Sequence, residues 1–276
     1  MATQAISPQV SCTSVRTDDF TAILLEPVSV PDDLTILYFH GGGFRLGTAN
    51  GWAPFLSRLA ESAGVAVLAL DYPLAPEYPY PAARVAGLAA FRWLLKHRSR
   101  VVIGGDSAGG NLASSVALAI NGSSARTAHA GTILFSPWVD LTLTNESFRR
   151  CGRPGQFSEA VARECVDMYA AGEDVRTTEL SPGLGDWTGQ PPLLIEVSST
   201  EVLRDDARNL ARSAIASGVQ VWFREVADQP HVWQIDDPSL IAVQASMRMV
   251  TDFISSVRAG PGFTSHQRFM HPSDER

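Results

Sequence analysis

Ser107 lies in Gly105-Asp106-Ser107-Ala108-Gly109, with the apolar run Val101–Gly104 before it and a helix-period segment from about 108 to 120 after it. A G-x-S-x-G run between a strand and a helix forces its serine into a tight, strained turn with the hydroxyl exposed, which is how a nucleophile is presented. Small residues flank it because the two backbones nearly touch there. A Walker-type phosphate cradle is excluded, since no Gly-Lys-Ser/Thr follows the glycines.

A serine hydroxyl needs a base, and the base needs an orienting acid. His231 fits the base: it stands in the loop Ala227–His231, after the last strong strand signal and before the final helical segment. His40 belongs to a glycine loop, His97 and His129 read as polar turns, and His266 and His271 lie in the tail. For the acid, Glu201 sits just past the strand Leu193–Val197, thirty residues before His231. Asp205 is the alternative. It and Asp206 lie in the first turn of the next helix, where the helix dipole alone accounts for acidic residues. The chain order is then Ser107, Glu201, His231. Upstream, His40-Gly41-Gly42-Gly43-Phe44 follows the strand Thr35–His40. Consecutive glycines let backbone N–H groups turn toward a common point, and each such donor to a tetrahedral oxyanion is worth roughly 2.7–4 kcal/mol of barrier.

The elements that must position these groups follow one rhythm. Thr35–His40, Val65–Tyr72, Val101–Gly104, Thr132–Phe135, Leu193–Val197 and Val219–Val226 are apolar runs suited to strands covered on both faces. Helical patterns lie between them at about 52–63, 80–97, 108–120, 203–217 and 238–257. That alternation specifies an α/β fold with a mostly parallel sheet flanked by helices. Ser11–Arg16 and Thr21–Leu25, around Thr17-Asp18-Asp19, read as an antiparallel pair at the N-terminal edge. Residues 141–187 break the rhythm, with Cys151-Gly-Arg-Pro-Gly and one helical stretch, Ser158–Ala171, and read as a small helical cap inserted over the sheet's C-terminal edge. Residues 1–140 and 188–258 then form one core domain. The segment 259–276, Gly/Pro-broken and polar, is expected to fray.

A chain of 276 residues, 45% hydrophobic and 18% charged, suits one large domain with an insertion and excludes a disordered class. A net charge of −7 argues against nucleic acid as the partner. Cys12, Cys151 and Cys165 have no metal-ligand spacing and suit reduced thiols of a cytoplasmic protein. No secretory leader and no membrane-length apolar run is read in the sequence.

The chain resembles the hormone-sensitive-lipase-like family of α/β-hydrolase esterases from Ile36 to about Ser256. The resemblance rests on HGGGF at 40–44, DYPLAPE at 71–77, GDSAGGNLA at 105–113, SPWVDL at 136–141, EVLRDD at 201–206 and PHVW at 230–233. It implies an α/β-hydrolase fold and a serine carboxylic-ester hydrolase without metal or cofactor. Ser107 would be the nucleophile, His231 the base, and Gly42, Gly43 and Ala108 the oxyanion N–H donors, with Gly41 shaping the loop. Most relatives place Asp where Glu201 stands. Relatives also usually carry lid helices before the edge strands, whereas 39 residues precede this HGGG, so a more open site is expected, covered mainly by 141–187. Phe44 and Trp138 are candidate pocket walls, though a packed aromatic explains Trp138 equally well. The expected substrate is a small, short-chain, uncharged ester held by mostly apolar walls with no clamp for a charged group. Lactone or amide hydrolysis on the same fold is the alternative, followed by a non-catalytic ligand-binding protein. Apolar surface left by a missing lid would favour a homodimer.

Overall fold

The computed structural model describes residues 5–29, 33–151 and 157–260, together with the backbone of Phe269 and Met270. Its strands are β1 Val10–Arg16, β2 Thr21–Pro27, β3 Leu34–Phe39, β4 Ala66–Asp71, β5 Arg100–Asp106, β6 His129–Phe135, β7 Leu193–Ser198, β8 Val221–Val226 and β9 Phe269–Met270. Its helices are α1 Ala49–Ala63, α2 Ala82–Leu94, α3 Ala108–Asn121, α4 Ser147–Arg150, α5 Glu159–Ala170, α6 Arg204–Ala216 and α7 Ile241–Ala259. Among the described residues the strands form one sheet in the order β1-β2-β4-β3-β5-β6-β7-β8-β9. β2 runs antiparallel to both β1 and β4, and every pairing from β4 through β9 is parallel. This is an α/β-hydrolase fold.

Period-2 alternation explains why the strands read as unbroken apolar runs. On β3, Ile36 and Tyr38 enter the core beneath α1 and α7, while Leu37 and Phe39 enter the core beneath α2, α3 and α6. Both faces are buried, so neither can be polar. α1 is started by Thr48, whose hydroxyl accepts the Gly51 N–H at 3.0 Å, and stopped by Gly64 in the left-handed region. Among the described residues no helix is long and apolar enough to cross a membrane.

Two readings are corrected. His129 is the buried first residue of β6 rather than part of a polar turn, its Nε2 within 3.0 Å of the Gly131 carbonyl and the Thr132 hydroxyl. β5 also continues through Gly105 to Asp106, so strand and helix meet with only Ser107 between them. Within 141–187 the structure has α4, α5 and a 3-10 turn at Pro182–Leu184. The stretch from Gly152 to Gln156 lies outside the described residues, as does the tail expected to fray, apart from the short pairing of β9 on β8.

Candidate active site

The loops at the C-terminal ends of β3, β5 and β8, with Phe157 and α5, line one cavity of about 260 Å³. Ser107, between β5 and α3, has φ 53° and ψ −121°, a left-handed conformation that costs a non-glycine residue about 1–3 kcal/mol. The surroundings compel it. Ser107 N–H donates to the Phe135 carbonyl at 2.9 Å, and its own carbonyl accepts from Trp138 N–H at 3.0 Å. Gly109 abuts the Phe39 carbonyl so closely that no Cβ fits. The turn is therefore wedged between β3 and the chain leaving β6.

Parallel register brings the remaining groups beside it. Ser198, the last residue of β7, pairs with Val226, the last of β8. Glu201 and His231 lie just beyond those two ends, and the Ser198 hydroxyl joins the two loops by donating to the Gln229 carbonyl at 2.7 Å. His231 Nε2 lies 2.9 Å from Ser107 Oγ, and Nδ1 is hydrogen-bonded to Glu201 Oε2. A carboxylate only accepts, so Nδ1 carries the proton and Nε2 is free to accept from the serine. Burial pushes the imidazole pKa down. The Glu201 charge and hydrogen bond, with a smaller contribution from Asp106, outweigh it and hold the value above the ordinary one.

Glu201 is buried, and its second oxygen accepts from the Ser136 hydroxyl at 2.8 Å and the Ser198 N–H at 2.7 Å. Asp205 points elsewhere: it accepts from Ser147 N–H at 2.9 Å and pairs with Arg204 at 3.1 Å. Asp206 is buried and accepts from the N–H groups of Val139 and Asp140 and from the Asn145 amide.

On the opposite side, Gly42 (φ 124°) and Gly43 (φ 61°) line the cavity in conformations that L side chains resist. The N–H groups of Gly42, Gly43 and Ala108 have no acceptor among the described residues. Asp106, beside the serine, accepts from Tyr38 OH at 3.0 Å, from Trp52 Nε1 at 2.9 Å and from the Gly41 N–H. Burial pushes its carboxyl up to about 6 against those donors. His40 stacks on Tyr72 with centroids 4.4 Å apart, and its Nδ1 is 2.7 Å from the Gly41 carbonyl. Asp71 accepts the Ala49 N–H at 2.6 Å.

The two candidate wall residues are not at the cavity. Phe44 and Trp138 are fully buried one layer behind it: Phe44 stacks on Tyr169 at 3.9 Å, and Trp138 meets Phe157 edge-on at 5.2 Å. Phe44 and Ser136, the latter two residues before Trp138, have positive φ. Phe157 lines the cavity instead, its ring nearly parallel to that of His231, and Val161 and Cys165 of α5 continue that wall. Sequence reasoning missed Ser136, Trp52, Phe157 and Arg45. Ser136 had a signal in its place at the end of β6. The cavity wall is mostly apolar, as expected, and Arg45 is a charged residue within it.

Residues 36–235 match the family described as the alpha/beta hydrolase fold. An acetyl-hydrolase of Streptomyces hygroscopicus is 41% identical over 213 residues, covering 76% of this chain and 71% of the relative. An esterase of Acinetobacter venetianus is 29% identical, covering 91% of this chain and 84% of its own length. Among solved structures, an esterase from the bacterial hormone-sensitive lipase family superposes with a TM-score of 0.85 at 33% identity, covering 91% of this chain and 86% of the other. The esterase EstE5, soaked with p-nitrophenyl butyrate, matches with a TM-score of 0.83 at 32% identity, covering 93% and 87%.

Proposed function

This chain belongs to the α/β-hydrolase family and is a carboxylesterase, and on that premise we propose that Ser107, His231 and Glu201 carry out its acyl transfer. The observation that carries the assignment is the unbroken line from Ser107 Oγ through His231 to Glu201, with Gly42 and Gly43 lining the same cavity and their N–H groups without an acceptor among the described residues. Ser107 Oγ attacks the ester carbonyl while His231 Nε2 takes its proton. Glu201 stabilises the resulting imidazolium, and the N–H groups of Gly42, Gly43 and Ala108 receive the negative oxygen. The tetrahedral species collapses, His231 protonates the departing alcohol, and Ser107 is left as an acyl ester. Water, deprotonated by His231, then attacks that ester and releases the acid and the serine.

The substrate is a small-molecule ester, and a cavity of about 260 Å³ suits a short acyl chain. The segment 141–187 acts as a cap, a reading supported by α5, whose Val161 and Cys165 line the cavity. Three unpaired thiols, Cys12, Cys151 and Cys165, suit a cytoplasmic setting. The exposed Leu240 and Ile241 at the start of α7 favour a homodimer. The decisive experiment is Ser107→Ala. Hydrolysis of p-nitrophenyl butyrate falls to the uncatalysed rate, labelling by an organophosphonate disappears, and the circular dichroism melt persists. Turnover surviving in that variant ends the assignment.

A further inference from the structure

We propose that Arg45 selects esters that carry a carboxylate within a few atoms of the scissile carbonyl, a refinement that rests on the serine-esterase reading above. Arg45 leaves the same loop as Gly42 and Gly43. Its N–H donates to the Gly42 carbonyl at 3.2 Å and that of Leu46 does so at 3.0 Å, so the side chain starts from a fixed point beside the proposed oxyanion site. It lines the cavity with 28% of its side chain exposed, and among the described residues there it is the one lysine or arginine.

Among the described residues its partners leave most of the guanidinium unused. Glu164 Oε2 stands 4.0 Å from Nη1 on a side chain that is 64% exposed, a separation and exposure at which an ion pair contributes little. The Cys165 thiol is a second, weak partner. The acidic groups nearer the serine are already engaged: Asp106 by Tyr38, Trp52 and Gly41, and Glu201 by His231, Ser136 and Ser198. A half-buried arginine in a cavity lined also by Phe157 and Val161 is out of place in a site for wholly neutral esters, because desolvating it brings no return. A carboxylate supplies that return through paired N–H···O bonds in the planar geometry that arginine favours. The cavity's size keeps the carboxylate close to the ester. It sits either on the acid side, as in a monoester of a dicarboxylic acid, or on the alcohol side, as in an ester of a hydroxy acid.

Two substrate pairs separate those sources: p-nitrophenyl hemisuccinate against p-nitrophenyl butyrate, and O-acetylglycolate against ethyl acetate. In at least one pair, the ratio of kcat/KM for the charged ester to that for the neutral one falls roughly tenfold or more in Arg45→Gln. Arg45→Lys restores part of it, and Glu164→Gln, which removes the competing carboxylate, raises it. The responding pair identifies the side. Ratios in both pairs that stay within about twofold in Arg45→Gln overturn the proposal. Turnover that survives Ser107→Ala overturns the acyl-enzyme reading instead, whatever Arg45 does.

Discussion

The Ser136 hydroxyl donates to Glu201 Oε1 at 2.8 Å, holding the carboxylate by the oxygen that His231 does not use. Ser136 follows the last residue of β6, has φ 45° and is fully buried, and its N–H is bound to the Glu196 carbonyl at 2.7 Å. Its Oγ also accepts the Val232 N–H at 3.3 Å, one residue past the histidine. One hydroxyl therefore holds both Glu201 and the loop that carries His231. Ser136→Ala removes a hydrogen bond to a buried charge, about 1.5–3 kcal/mol, and we expect kcat/KM to fall roughly ten- to hundredfold. Steady-state kinetics beside a thermal melt check this. A loss of rate matched by loss of folded protein would assign Ser136 to stability alone.

Glu201→Gln and Asp205→Asn separate the two carboxylates. With glutamine the imidazole loses the charge that holds its tautomer and stabilises its protonated form, and kcat is expected to drop by about 10³–10⁴. Asp205→Asn disturbs the Ser147, Arg204 and Arg208 contacts and should leave kcat within about fivefold. The reverse ranking transfers the acid role to Asp205.

The pH profile follows from His231. Its raised pKa belongs to the acid limb of kcat/KM, because only neutral imidazole accepts the serine proton: activity rises as pH climbs through that value and is lost below it. Glu201 is what raises it against burial, so in Glu201→Gln the midpoint of the residual acid limb moves to lower pH. A midpoint that stays fixed shows that another group titrates there. Asp106, pushed up to about 6, is the group to examine next.

Asp206 ties α6 to the chain leaving β6, accepting from Val139 N–H at 3.0 Å, Asp140 N–H at 2.9 Å and the Asn145 amide at 2.7 Å. Asp206→Ala leaves buried donors unpaired at the base of the 141–187 segment. A loss of about 2–4 kcal/mol is expected in urea unfolding. An unchanged midpoint would mean that water replaces the carboxylate.

Much of the site was legible because its signals are local. Gly105 to Gly109 stand between a strand signal and a helix signal, and a triple glycine after β3 gained its meaning from that nucleophile turn. The aromatic walls were not legible. Phe44 and Trp138 sit beside the right residues, yet both are buried in the core, and Phe157 takes the cavity face from a different segment. Adjacency in sequence says nothing about side-chain direction at a turn.

The sequence by itself determined the fold class, the chain order serine–acid–histidine and the strand ends on which they ride, since hydrophobic period and small-residue turns are properties of a few consecutive residues. Only the tertiary structure decided which carboxylate meets His231, that Ser136 holds it from 65 residues away, and that Arg45 faces the cavity. Those outcomes depend on the register of β6, β7 and β8 and on the directions in which side chains leave their turns. Both emerge only when the sheet is assembled and its faces are covered.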